Sequence, residues 1–166
     1  VLLMESNFNF KNFSIVIPIF NEEEILEEST NAIFSLCKRM EIDFEIIFSE
    51  NGSTDKTKAI AEELTNKHPE IKIISNPEPN YGNALKTGFK IAKNDLVISF
   101  DIDYYSESFL SEALKLESEY SGITASKRLG SSEDGRRFIR RLATNFFVIL
   151  LKTLFGTKLS DTHGMK

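Results

Sequence analysis

Between Phe13 and Ser126, five short apolar stretches rich in Ile, Val and Phe alternate with longer stretches in which hydrophobic residues return every three or four positions. No other feature constrains the fold as strongly. A strand-length run followed by an amphipathic, helix-length run is the rhythm of β-α units that build a mostly parallel sheet. The strands are read at Phe13–Ile19, Phe44–Ser49, Ile71–Ser75, Leu96–Asp101 and Ile123–Ser126. The helices are read near Glu23–Met40, Asp55–Lys67, Asn83–Ala92 and Glu107–Glu119. The expected fold class is therefore α/β, a Rossmann-like, mostly parallel sheet flanked by helices.

With 166 residues the chain can bury one core of ordinary size, so a single domain over 1–166 is expected. Within it the segment 130–155 stands apart. Gly130 to Gly135 reads as a flexible loop, and a helix-like run follows from Arg136 to Phe155. A hydrophobic share of 41% with 27% charged residues is globular, which excludes a disordered or fibrous chain. The net charge of −5 argues against nucleic acid as a partner, because phosphate backbones repel an acidic surface. A single cysteine, Cys37, can form no intramolecular disulfide and fits a reducing, cytoplasmic compartment, where its role is core packing. No apolar run approaches the roughly 20 residues that span a bilayer. Val1-Leu2-Leu3 has neither the length nor the basic flank of a signal peptide.

Three loops carry unusual polar content: Pro18 to Glu24, Glu50 to Asp55, and Asp101 to Ser106. Each follows an expected strand. In an open α/β sheet, ligands bind outside the carboxyl ends of the strands, so the three loops converge on one crevice. The strongest feature among them is Leu96-Val97-Ile98-Ser99-Phe100-Asp101-Ile102-Asp103, a buried-type strand ending in two carboxylates one residue apart. Where the chain leaves the pleat, both acids can turn toward one point and offer hard oxygen ligands to Mg²⁺ or Mn²⁺. Such an ion neutralises a diphosphate leaving group. A solvated loop with helix-capping acids accounts for the same three residues when they are taken alone.

In Ser49-Glu50-Asn51-Gly52-Ser53-Thr54-Asp55, helix capping and a tight turn explain the residues from Gly52 onward. Glu50 and Asn51 offer acceptors and donors at the strand mouth that suit a nucleobase or ribose edge. The first strand ends in Pro18-Ile19-Phe20-Asn21-Glu22, a rigid turn with an aromatic, an amide and an acid. The acids from Glu22 to Glu24 also suit a helix N-terminus. Further on, Lys127, Arg128, Arg136, Arg137, Arg140 and Arg141 concentrate positive charge, and Phe146 to Leu151 follow as an apolar run. Arginine forks suit phosphate oxygens, whereas a solvated helix face paired with Glu133 and Asp134 is the plainer account. The apolar run either packs on the sheet or lies in a membrane interface, and packing is expected for most of it.

Taken together, "SIVIPIFNEEE", "EIIFSENGSTDKT", "NYGNALKTGFKIAKNDLVISFDID" and "SDTHGMK" resemble the family 2 glycosyltransferases of GT-A fold, in order and spacing. The branch most resembled contains the dolichol-phosphate mannose and glucose synthases, and the likeness runs from about Ser14 to Lys166. It implies that Pro18, Phe20 and Glu22, with Asn21 between them, line the nucleoside pocket. It further implies that Asp101 and Asp103 hold the metal and the diphosphate. Where the family usually has Asp-Asp-Gly-Ser, this chain has Glu50-Asn51-Gly52-Ser53. Relatives in the polyprenyl-phosphate branch often place a Gln where Tyr105 stands. Asn80, Gly82 and Lys86 fall where similar enzymes carry a Gly- and Lys-containing segment near the donor, although Lys86 reads equally as a solvent-facing helix residue.

On the acceptor side the resemblance aligns Arg140 and Thr144 with residues that approach the acceptor phosphate. Asp161 or His163, in a motif one residue shorter than the family's, is then catalytic or completes the metal site. The expected activity is metal-dependent, inverting transfer of a hexose from a GDP- or UDP-linked donor to a polyprenyl phosphate such as dolichyl phosphate. Such an acceptor implies peripheral contact at the cytoplasmic membrane face. A phosphate acceptor is already anionic, so catalysis would rest on metal-assisted departure and positioning. A sugar hydroxyl acceptor would instead require a carboxylate such as Asp161 to take its proton. Two other classes remain. A nucleotidyltransferase would show a Gly-rich loop after its first strand, which "PIFNEEE" lacks, and a non-catalytic binder would keep only the donor pocket. Full-length relatives continue past the motif at Lys166, so a truncated chain is expected.

Overall fold

The computed structural model describes residues 10–115 together with positions 146, 149, 150, 153 and 154. Two compact units divide the chain, Val1–Tyr120 and Ser121–Lys166. In the first unit the order is β1 (Asn12–Ile19), α1 (Leu26–Arg39), β2 (Asp43–Glu50), α2 (Thr57–Lys67), β3 (Ile71–Ser75), α3 (Tyr81–Ile91), β4 (Val97–Ser99) and α4 (Glu107–Leu114). The strands form one sheet in the order β3-β2-β1-β4, and every pairing is parallel. The α/β class read from the alternation is the class observed. The expected strand Ile123–Ser126 lies outside the described residues.

Alternation along β1 assigns its two faces. Phe13, Ile15, Ile17 and Ile19 join a cluster with Leu26, Ile33 and Leu36 of α1, and with Leu64 of α2 and Leu110 of α4. Val16 points to the other face, against α3. There the helix presents Gly88, where an added methyl group would overlap the Val16 Cγ1. The small residues Ala84 and Gly88 are thus what let α3 lie close to the strands. On the same face, near the strand starts, Glu45 is fully buried and accepts hydrogen bonds from Ser14 Oγ (2.7 Å), Lys93 N (2.8 Å) and Lys72 Nζ (2.8 Å). Asn94 donates to Ser14 Oγ as well, which ties the turn before β4 to the middle of the sheet.

Two boundaries differ from the sequence reading for physical reasons. Helix α1 is regular from Leu26 rather than Glu23; the residues before it form a turn in which the Ile25 and Leu26 amides both donate to Glu22 O, while Thr57 and Asp55 accept from the Glu22 and Glu23 amides. Strand β4 is only three residues long; the Phe100 amide still reaches Val16 O at 3.3 Å, and the chain then turns at Asp101. In the second unit, Phe146, Ile149, Leu150, Thr153 and Leu154 are helical. Phe146, Ile149, Leu150 and Leu154 are exposed there. Their spacing places them along one side of the helix.

Candidate active site

The chain steps outward from β1 to β2 to β3 and then returns to pair β4 on the free side of β1. Between β1 and β4 the strand order reverses, so the loops leaving their carboxyl ends diverge and leave a crevice. The Pro18 to Glu24 loop forms one side, and the turn after β4 forms the other.

That turn is built by its middle residue. Ile102 is 2% exposed and belongs to the hydrophobic cluster, while Asp101 is half-buried and Asp103 is exposed. Burying the isoleucine turns the flanking carboxylates away from the core. Asp101 and Tyr104 close the turn as an isolated bridge, with the Tyr104 amide donating to Asp101 O at 3.0 Å. Tyr81, in the first turn of α3, donates its hydroxyl to Asp101 Oδ1 at 3.0 Å. Burial, then the hydrogen bond and charge of Asp101, push the Tyr81 hydroxyl up to about 12, so it remains a donor through the neutral range.

Glu22 reports the electrostatics of the crevice. Its carboxyl is held above the usual carboxylate range by burial and then by the negative charges of Asp103, Asp55 and Asp101. Four acids therefore share one field, and among the described residues neither Asp101 nor Asp103 forms an ion pair with a Lys or Arg. Two hard carboxylates that meet no Lys or Arg among the described residues, one of them exposed to solvent, fit Mg²⁺ or Mn²⁺. Such ions are commonly held by one or two carboxylates, with water and substrate phosphates filling the remaining positions. No group of three or more acidic, His or Cys ligands gathers among the described residues, so the site does not resemble an all-protein cage.

The loops after β1 and β2 are fastened to each other. Asn21, with a positive φ of 54°, donates its amide to Ser53 Oγ and accepts from Thr54 N at 2.8 Å through Oδ1. Glu22 N donates to Thr57 Oγ1 at 2.7 Å. Glu23 N donates to Asp55 Oδ2, and Glu23 Oε2 in turn accepts from Lys56 N. Asp55 also accepts from Thr57 N; burial raises its carboxyl, but these hydrogen bonds outweigh that and hold it below the usual range.

The sequence-derived candidates fall into distinct groups. Asp101, Asp103 and Glu22 share the crevice, and Phe20 is 41% exposed at the end of β1, beyond the buried Pro18. Glu50 and Asn51 are buried, and both hold backbone: Glu50 Oε1 accepts from Ser53 N, and Asn51 Oδ1 accepts from Asn80 N at 2.7 Å. Asn80 caps α3 through Asn83 N, and Lys86 is exposed on that helix. Lys127, Arg128, Arg140, Thr144 and Asp161 lie outside the described residues. Tyr81 was not among the candidates, although the capping pair Asn80 and Asn83 marks a helix start that puts it in the first turn.

The glycosyl transferase family 2 model matches residues 14–165, almost the whole chain. The chain belongs to glycosyl transferase family 2. The undecaprenyl-phosphate 4-deoxy-4-formamido-L-arabinose transferase of Pseudomonas fluorescens is 30% identical over 152 residues, covering 89% of this chain and 44% of that protein. The enzyme of the same name from Proteus mirabilis is 37% identical over 92 residues, covering 54% of this chain and 28% of the relative. The chain thus spans less than half the length of these curated relatives. Among solved structures, a mannosyltransferase from Pyrobaculum calidifontis in complex with GDP-Man and Mn²⁺ superposes with a TM-score of 0.52 at 22% identity, over 62% of this chain and 31% of its own. Staphylococcus aureus TarS with UDP-GlcNAc gives 0.51 at 25% identity, over 61% and 30%. The family 2 membership and the GT-A fold expected from the sequence motifs are both observed.

Proposed function

We propose that this family 2 chain carries the donor half of a polyprenyl-phosphate sugar transferase. In this reading Asp101 and Asp103 hold Mg²⁺ or Mn²⁺ against the diphosphate of a nucleotide sugar. The observation that carries it is the acidic crevice between β1 and β4, where Glu22, Asp101 and Asp103 meet without a Lys or Arg ion-pair partner among the described residues. The bound ion would supply charge neutralisation to the departing nucleoside diphosphate. The chain's own residues do the rest. The core anchor Ile102 fixes where the carboxylates emerge, and Phe20, Pro18 and Glu22 border the nucleoside side of the same crevice. Glu50 and Asn51 act one step back, by holding the Ser53 and Asn80 amides that shape the loop walls.

The acceptor assignment draws on the relatives, whose names specify undecaprenyl phosphate and a formamido-arabinose. That sugar is a pentose derivative, so the donor is proposed as a nucleotide sugar of GDP or UDP type, with hexose as one member of the panel. Lys127, Arg128, Arg140 and Thr144 are assigned to the acceptor phosphate. Asp161 is assigned to the same side, and the chain is read as one domain acting at the cytoplasmic membrane face. No helix among the described residues is long and apolar enough to cross a membrane. A phosphate oxygen attacking the anomeric carbon opposite the diphosphate inverts that centre and needs no strong base, so positioning matters more than proton transfer.

The test is release of nucleoside diphosphate from GDP-mannose, UDP-GlcNAc and a nucleotide-linked 4-deoxy-4-formamido-L-arabinose, with Mn²⁺ and a short-chain polyprenyl phosphate. Lipid-phosphate-dependent release that chelation abolishes, and that Asp101→Asn and Asp103→Asn each lower by at least about a hundredfold, is expected. Donor binding without turnover on any acceptor would make the chain a binding module instead.

A further inference from the structure

Among the described residues, Asp101 and not Asp103 accepts a side-chain hydrogen bond from a neighbouring element, and the donor is Tyr81, a residue 54% exposed. Tyr81 stands in the first turn of α3, and that turn is itself fixed. Asn80 caps it through Asn83 N at 2.9 Å, and Asn51 accepts the Asn80 amide at 2.7 Å. Buried Asn76 joins the same helix through Asn83 Nδ2 and Thr87 Oγ1, both at 3.3 Å. Beyond the cap, α3 is seated at Gly88 on β1, the strand that pairs with β4. The hydroxyl is therefore delivered to Asp101 from a rigid frame that does not include the Asp101 turn.

A carboxylate at the tip of a short turn can rotate about two bonds, and repulsion from Asp103 and Glu22 favours rotamers that spread the acids apart. One hydrogen bond to Oδ1 opposes that spreading. It engages only Oδ1 among the described residues, so Oδ2 keeps its lone pairs for another ligand. It also removes side-chain entropy before any ligand arrives, and partners of this kind around ligating carboxylates typically change metal affinity by 10- to 100-fold. We propose that Tyr81 is a positioning residue, which presets the Asp101 carboxylate for a divalent cation and the diphosphate it carries. This rests on the assignment of Asp101 and Asp103 as metal ligands.

The experiment is a titration of the full chain with Mn²⁺, in parallel series with UDP and with GDP, following free Mn²⁺ by electron paramagnetic resonance. Tyr81→Phe is expected to bind Mn²⁺ about tenfold more weakly. Its metal-free thermal midpoint should stay within roughly a degree of the parent, because only one hydroxyl of a half-exposed side chain is removed and the ring is kept. In turnover, the Mn²⁺ concentration for half-activation should rise while the rate at saturating Mn²⁺ is largely kept. Tyr81→Ala should match Tyr81→Phe in Mn²⁺ affinity. If Tyr81→Phe titrates like the parent while Asp101→Asn has lost binding, the positioning role is refuted and the metal assignment stands. An effect seen in Tyr81→Ala alone would assign the role to the ring and likewise overturn the proposal. If Asp101→Asn and Asp103→Asn both titrate like the parent, the metal assignment fails and takes this inference with it.

Discussion

Glu45 offers a stability measurement whose size follows from its contacts. Its side chain is 1% exposed and accepts three hydrogen bonds, two at Oε1 from Ser14 and the Lys93 amide and one at Oε2 from Lys72. Burial alone would raise its carboxyl, but the bonds from Lys72, Lys93 and Ser14, with the Lys72 charge, hold it below the usual range. Hydrogen bonds to a charged group contribute about 1.5–3 kcal/mol each. Glu45→Gln keeps the shape and an acceptor at Oε1 but places an NH₂ where Lys72 donates. Lys72 is 47% exposed and can turn to solvent, so the expected loss is about 2 kcal/mol. Glu45→Ala removes all three acceptor contacts and strands the Lys93 amide, for about 4 kcal/mol. Because the folded carboxyl lies below its unfolded value near 4.5, this stabilisation is complete above that pH and disappears as pH falls through the lowered folded value. Urea unfolding from pH 7 down to pH 3 reads both effects. A Glu45→Gln variant within about 0.5 kcal/mol of the parent at pH 7 would refute the reasoning, as would a gap that stays constant down to pH 3.

Gly88→Ala drives a methyl group into Val16, so α3 must lift from the sheet; urea unfolding should show a loss of about 1–3 kcal/mol, with Mn²⁺ affinity reduced in parallel because Tyr81 rides on that helix. Cys37 is fully buried and its thiol is pushed up to about 12 by burial, so thiol reagents should label it only after unfolding, and labelling at the unfolded rate in native buffer would contradict its placement. Glu22→Gln should stabilise the metal-free chain at pH 7 by up to about 1 kcal/mol. The raised folded value means that ionising Glu22 opposes folding, and the benefit of the variant fades as pH falls through that value. Added salt should shrink the difference, and a stability loss at low salt would show that repulsion does not dominate there.

Strands β1, β2 and β3 were legible in the sequence because runs such as Phe13-Ser14-Ile15-Val16-Ile17 and Phe44-Glu45-Ile46-Ile47-Phe48 combine β-branched and aromatic residues with strand-length limits. The aspartate pair was legible because a buried strand does not end in two acids by default. What local pattern could not supply was long-range capture of backbone groups. The Glu22 and Glu23 amides before α1 are held by Thr57 and Asp55, more than 30 residues away, and Asn51 is engaged by the Asn80 amide of another loop. The helix expected near Asn83–Ala92 starts earlier, at Tyr81, and the later expected start hid the contact to Asp101 across 20 residues. Glu45 was likewise hidden: alternation marks which face a residue takes, but not whether a buried acid finds donors from three separate segments.

The reciprocal bonds between the Asn21 to Glu23 turn and the Ser53 to Thr57 turn bear on how such a chain can be re-engineered. Each turn supplies acceptors that the other's amides require, so transplanting one loop from a relative would strand donors in both places. The two turns, more than 30 residues apart in the chain, therefore behave as one structural unit. Chimeras that exchange the two together should keep more of the parent's stability than those that exchange either one alone.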